Sequence, residues 1–277
     1  MHDRRPHVRP VKERDLPQVA KVAAANGEQG PSSAADAGYV GHLRRHGGFL
    51  VAELDGTVAG YCGTRPVGTA TMLCDLFVDP ARQSSGIGRS LLDQALDGRT
   101  EIFTFSSRDP RAMPLYVRYG LVPRWPLLYL AGAAAAVPYP PGLRARAVPA
   151  GRAADTERGL TGTGRDADHA FWATMPGATG LVVERDGEPV AAGAGENAAG
   201  SGVLRHLAVA AGADVAPVTA AALAGLGSAN VRACLPGPHP ALRGLLTAGW
   251  RIEEHDHHMS THDGLVDPRQ VLSPALA

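Results

Sequence analysis

The chain reads as an α/β (α+β) protein made of two tandem units, and three observations predict this. An apolar, strand-like run ending in Phe77-Val78 meets Asp79-Pro80, passes a short polar loop with two glycines, Gly86 and Gly88, and enters a segment of helical spacing. Upstream, residues 48–61 form two strand-like runs around Asp55-Gly56, a dipeptide suited to a hairpin turn. The same outline returns later in the chain at one constant offset, with Asp186-Gly187 for Asp55-Gly56 and Val209 for Val78.

In chain order, the hairpin of residues 48–61 is followed by a strand over 71–78, the glycine loop and its helix, and a further strand over 101–105. A helix opens near Asp109-Pro110 and carries Tyr116 and Tyr119 before Gly120 ends it. Residues 27–47 read as a loop. The Pro-rich stretch 137–142 marks the joint, which gives domains 1–136 and 143–277.

The glycine loop can aim several backbone N–H groups at one anion, with the positive end of the helix behind them. A plain tight turn would also use a glycine pair. A Walker loop needs Lys and Ser/Thr after its last glycine, where this chain has Arg89 and Ser90. A dinucleotide fingerprint needs a third glycine where Leu91 stands. What remains is Gln83-Ser84-Ser85-Gly86-Ile87-Gly88 with Arg82 in front, which resembles the acetyl-CoA pyrophosphate loop of the GCN5-related N-acetyltransferases (GNAT). Tyr116, four residues before Gly120, and the order of elements resemble the same family over residues 7–132.

The resemblance implies a mixed, mostly antiparallel twisted sheet flanked by helices, with acetyl-CoA as co-substrate and no metal. It implies that strands 71–78 and 101–105 splay, that Leu76, Phe77 and Val78 receive the pantetheine arm, and that the N–H of Val78 or of a direct neighbour polarises the thioester. Arg82, Gln83, Ser84, Ser85, Gly86, Ile87, Gly88, Arg89 and Ser90 would hold the pyrophosphate, and Ser106 or Ser107 would touch the arm. Tyr116 would protonate the leaving thiolate, a task that suits a phenol neutral near pH 7. The base that takes the amine proton stays open among Asp75, Glu53 and a chain of waters. The function implied is transfer of acetyl to the primary amine of a small molecule by direct attack in a ternary complex. The alternative is an acyl-CoA-binding or sensing protein without transfer.

The second copy lacks this chemistry. Residues 210–217 have neither the Gln nor the glycine pair and contain Asp214, and Leu245 stands in the place of Tyr116. It is expected to be a degenerate GNAT-like domain that binds no CoA, completes the acceptor pocket and acts as a built-in dimer partner. Tandem acetyltransferases of actinobacteria resemble this arrangement. The chain is expected to be a bacterial monomer with an internal pseudo-dimer, or a homodimer.

With 44% hydrophobic and 19% charged residues the chain can build substantial cores, and 27 basic against 27 acidic residues predict no general affinity for nucleic acid or anionic membrane. No apolar leader opens the sequence, and Cys62, Cys74 and Cys234 read as reduced core thiols of a cytoplasmic protein. His255-Asp256-His257-His258 invites a metal, but on a strand at most His255 and His257 converge, so a polar strand is expected. Residues 165–169, with Phe171 and Trp172, read as a solvated helix with an apolar underside, a pocket wall being the alternative.

Overall fold

The computed structural model describes residues 6–27, 34–138, 141–198 and 200–276. In chain order the elements are β1 His7–Pro10, α1 Leu16–Ala25, α2 Ala34–His46, β2 Gly48–Leu54, β3 Thr57–Val67, β4 Ala70–Val78, α3 Ile87–Ala95, β5 Ile102–Ser106, α4 Ala112–Val117, β6 Val122–Ala133 and β7 Leu143–Val148. There follow α5 Ala150–Thr161, α6 Asp166–Trp172, β8 Ala178–Arg185, β9 Glu188–Ala198, β10 Ser201–Val209, α7 Val215–Gly225, β11 Asn230–Pro236, α8 Leu242–Thr247 and β12 Arg251–Ser260. None of these helices is long and apolar enough to cross a membrane.

Two compact units result. Unit 1 comprises residues 1–104, 110–122 and 260–265, and unit 2 comprises 105–109, 123–259 and 266–277. These differ from the expected boundaries at residues 136 and 143. The reason is strand pairing: β6, which follows the first copy's α4, pairs antiparallel with β11 in unit 2. In return, Thr261 joins unit 1, where its N–H donates to Ile102 O (2.9 Å) and its Oγ1 accepts from Ile102 N (2.9 Å).

The sheet of unit 1 runs in the order β1-β2-β3-β4-β5, and that of unit 2 in the order β12-β6-β11-β10-β9-β8-β7. Among the pairs with a described register, β4–β5 and β10–β11 are parallel and the others antiparallel. Both Asp-Gly hairpins form as expected. Asp55 and Gly56 have φ of 52° and 75°, and Asp186 and Gly187 have 52° and 92°, the left-handed pair that a tight hairpin requires.

Residues 34–46 are helical rather than a loop, while residues 28–33 lie outside the described residues. Gly38 and Gly41 weaken the local helix signal by about 1 kcal/mol each. Burial of Val40 and Leu43 against the sheet outweighs that cost. Helix α3 is held by Ile87, Leu91 and Leu92, all buried on one face. Its close approach depends on Gly60, whose Cβ would stand 3.1 Å from Ile87 and 2.8 Å from Phe77 O.

In unit 2, a Cβ on Gly132 would fall 2.4 Å from the Trp250 ring, whose Nε1 donates to Ala133 O. Gly132→Ala is expected to destabilise the chain by about 1–3 kcal/mol, read as a lower urea midpoint. His255 and His257 share a face, with ring centroids 5.3 Å apart, while Asp256 accepts from Tyr129 Oη at 2.6 Å. Among the described residues no three metal-binding side chains converge. Cys62 is buried and Cys74 and Cys234 are half-buried, and none is in a disulfide.

Helix α6 corrects the expectation of a solvated helix. Asp168, His169 and Trp172 are at most 2% exposed. Glu157 of α5 bridges His169 Nε2 at 2.7 Å and His206 Nε2 of β10 at 3.0 Å. Arg165 donates to Asp168 at 2.9 Å and reaches His206 Nδ1 at 3.4 Å, with its guanidinium over Trp172. Both imidazoles and Arg165 hold the Glu157 carboxyl well below its usual range despite burial. Burial lowers the pKa of His206, against the pull of Glu157. Both folded pKa values therefore lie below the unfolded values of 6.5 and 4.5, so the unfolded chain binds more protons as pH falls through that window. Thermal midpoints are expected to fall from pH 7 to pH 4, and Glu157→Gln should flatten the acid limb of the profile.

Candidate active site

The site of unit 1 starts from a bulge. Thr64 pairs with Leu73 but Gly63 pairs with Asp75, so Cys74 is the extra residue on β4. A bulge sharpens twist and bends its strand. The parallel pairing of β4 with β5 ends at Leu73–Thr104, and β4 continues to Val78 without that neighbour, as the expected splay requires. Asp79 N donates to Ala59 O at 2.9 Å. Bonded and non-bonded pairs alternate in an antiparallel ladder, so the peptide groups of Leu76 and Val78 point away from β3 and those of Phe77 toward it.

Past Val78 the chain builds its loop from local bonds. Asp79 Oδ1 accepts from Ala81 N at 3.0 Å, and Arg82 N returns to Asp79 O at 2.8 Å. Ser84 (φ +64°) and Gly86 (φ +88°) are both left-handed. Gly86 is the N-cap of α3 and supplies no side-chain cap, and the first helical bond runs from Ser90 N to Gly86 O at 3.0 Å. The N–H groups of Ile87, Gly88 and Arg89 are therefore not used by the helix and mark its positive end.

Not every residue expected at the anion turns toward it. The Gln83 amide donates to Asn26 Oδ1 and to Val78 O, both at 3.3 Å, and its carbonyl accepts from Arg111. It clamps the loop to the end of α1 and to α4. Arg82 is drawn to Leu54 O at 3.3 Å, whereas Arg89 is exposed on the first turn of α3. Asn26 and Arg111 carry no signal in the sequence, because they reach Gln83 across 57 and 28 residues.

Helix α4 packs beside the loop, with Leu115 at 3.5 Å from the place of a Gly88 Cβ. Tyr116 is 7% exposed on this helix, and Gly120 (φ +83°) turns the chain out of it. Tyr119 instead anchors to α3, donating to Asp93 at 2.6 Å, and burial together with that carboxylate pushes its pKa up.

The base candidates separate. Asp75 accepts from Tyr39 Oη of α2 at 2.8 Å and lies 2.9 Å from the place of a Gly63 Cβ, so glycine there makes room for the carboxylate. Burial and Asp75 push the Tyr39 phenol well above its usual range. Glu53 is not brought to β4. Its carboxylate is bound by Arg9 of β1 at 2.8 Å, and Arg9 also holds Asp15 at 2.6 Å. Ser107 packs with unit 2, where its Oγ accepts from Asp109 N at 3.4 Å.

The profile of the acetyltransferase (GNAT) domain family matches residues 45–122, which hold the hairpin, β4, the loop and α4. Over this segment the chain is similar to the GNAT family. Among solved structures it is similar to a tandem GNAT protein from the clavulanic acid biosynthesis pathway, at 18% identity and TM-score 0.62, with 95% of this chain and 100% of that one covered. A GCN5-related N-acetyltransferase from Sphaerobacter thermophilus aligns at 16% identity and TM-score 0.60, over 92% of this chain and 95% of that one. An acetyltransferase structure from Pyrococcus horikoshii aligns at 15% identity and TM-score 0.71, over 98% and 96%. These likenesses show the tandem fold. No curated protein gives a significant match.

The second copy repeats the bulge at the matching place: Gly195 pairs with Leu204 and Ala194 with His206, leaving Arg205 extra as Cys74 is in the first. There, however, the place beside the bent strand is taken. Leu207, the counterpart of Leu76, exchanges both backbone bonds with Val271 at 3.1 Å, and Leu272 N donates to Cys234 O of β11 at 3.0 Å. Arg269 adds a bond to Ala210 O at 3.0 Å, in the segment that replaces the glycine loop.

Proposed function

We propose that unit 1 moves the acetyl group of acetyl-CoA to the primary amine of a small molecule in a ternary complex. The observation that carries this reading is β4: it leaves β5 after the Cys74 bulge and leads directly into the uncapped end of α3. A pantetheine amide can pair with Leu76 as Val271 pairs with Leu207. The pyrophosphate then meets the free N–H groups around Gly86–Gly88 with Arg89 beside them.

The amine lone pair attacks the thioester carbon, and the Val78 N–H stabilises the oxyanion. As the carbon–sulfur bond breaks, the Tyr116 hydroxyl gives its proton to the thiolate. Asp75, oriented by Tyr39, draws the acceptor ammonium and takes its proton directly or through water. The segment around Val271 supports the reading that unit 2 takes no CoA, because it fills the matching place.

Two measurements test this. Calorimetric titration of the full chain should give one acetyl-CoA per chain, and two would overturn the reading of the second copy. A panel of primary amines, amino acids and aminoglycosides should contain acceptors that release CoA thiol. Tight acetyl-CoA binding with no release across the panel would favour an acyl-CoA-binding role instead.

A further inference from the structure

Residues 267–276 form a strap on unit 2. Where the parallel pairing of β10 with β11 has ended at Leu204–Ala233, Val271 exchanges both backbone bonds with Leu207 at 3.1 Å, and Leu272 N donates to Cys234 O at 3.0 Å. Val271, Leu272 and Leu276 are buried, and Leu276 N turns back to Ser273 O at 3.1 Å. Arg269 ties the near end to Ala210 O at 3.0 Å. The far end is tied from outside the strap: the Leu276 carbonyl accepts from Arg165 of α6.

Arg165 is at the same time part of the buried cluster. Its Nε donates to Asp168 at 2.9 Å, and its Nη1 stands 3.4 Å from His206 Nδ1. The Glu157 carboxyl, held far below its usual range, is ionised and can only accept. His206 Nε2, 3.0 Å from it, therefore carries the ring proton, and Nδ1 turns a lone pair to Arg165. We propose that this contact is an acid-sensitive latch: a proton taken up on His206 Nδ1 frees the strap at its Leu276 end.

The chemistry is a conflict of donors. Arg165 has N–H groups only, so once Nδ1 carries hydrogen the two face each other as donors and as like charges. Asp168 still holds Arg165 Nε, so the guanidinium turns in place, and its bond to Leu276 O is lost in the turn. The groups that face His206 are Glu157 from α5 and Arg165 and His169 from α6, with Trp172 stacked on the ring at 5.4 Å. Its partner on β9 is Ala194, and the charged residues of the strap are engaged locally, Asp267 with Arg269 N and Arg269 with Ala210 O. Burial first, and Arg165 as well, lower the pKa of His206 below 6.5, against Glu157. Release relaxes the Arg165 constraint, so the open state binds the proton more readily and gains population as pH falls through that range. A proton on His169 would leave the Arg165 contact untouched.

The test is hydrogen–deuterium exchange of the full chain at about pH 7.5 and about pH 5.5, read as protection factors because the intrinsic rate itself falls with pH. Protection of the Val271, Leu272 and Leu276 amides should drop at least about tenfold at the lower pH and return on neutralisation. Residues 181–183 of β8 and 191–194 of β9 should change less than about twofold. His206→Asn, which keeps an acceptor toward Arg165 but does not titrate in this range, should hold the strap closed at both pH values. Arg165→Gln should leave it loose at both. Equal protection of the strap at the two pH values would overturn the proposal, and so would a loss shared by β8 and β9, which is global unfolding. An unchanged loss in His206→Asn would place the proton elsewhere and overturn it too. The unaltered chain decides the matter if a variant fails to fold, and acetyl-CoA titration of unit 1 is independent of every outcome.

Discussion

A Gly86→Asp chain is expected to fold like the parent and to bind acetyl-CoA at least about 100-fold more weakly. A Cβ at Gly86 meets nothing within 4 Å, so the fold loses no packing. The φ of +88° costs an L residue about 1–2 kcal/mol, and aspartate is among the residues that tolerate it best. The loss of binding comes from charge: the new carboxylate stands at the N-cap, where the free N–H groups of α3 would otherwise face the pyrophosphate. Calorimetry at two salt concentrations separates this from a collapsed loop, since added salt should recover part of the affinity only if repulsion is the cause. Unchanged affinity would remove the loop from the cofactor site.

Tyr116→Phe is expected to lower kcat by about 10²–10⁴ and to leave acetyl-CoA affinity within a few fold. The phenyl ring fills the same buried space on α4, so the thermal midpoint should move little. On the proposed mechanism the variant lacks the proton donor for the departing thiolate, and the rate should recover in part with thioesters whose thiols are more acidic. A variant with full activity would make Tyr116 a packing residue. Tyr119→Phe is the matching control, because its hydroxyl is spent on Asp93 and its loss should act on stability and not on kcat.

The features legible in the sequence are those with a local cause. The two Asp-Gly hairpins and the left-handed Gly86 follow from the backbone freedom these residues have, and the strands around them follow from side-chain alternation. Helix α2 is obscured by Gly38 and Gly41, and with it the Tyr39–Asp75 contact. The bulge at Cys74 leaves no local mark, since any residue can be the extra one, and only its recurrence at Arg205 exposes it. The Gln83 clamp, the hold of Arg9 on Glu53 and Asp15, and the buried cluster around Glu157 join groups from separate elements. Local sequence patterns carry no information about such partners. The domain boundary is hidden for the same reason: β6 resembles the end of the first copy, and only its pairing with β11 assigns it to unit 2.

The reciprocal exchange at β6 and Thr261 bears on how the chain is made. Domains of a nascent chain commonly fold one after another as they leave the ribosome. Here that order is interrupted, because the bonds from Thr261 to Ile102 cannot form until Thr261 itself has been synthesised and exposed. The first unit must wait for most of the second to be translated before its own last segment arrives. Ribosome-stalled chains ending between residues 140 and 255 should therefore leave the N-terminal unit sensitive to protease, with protection appearing only after Thr261 has emerged.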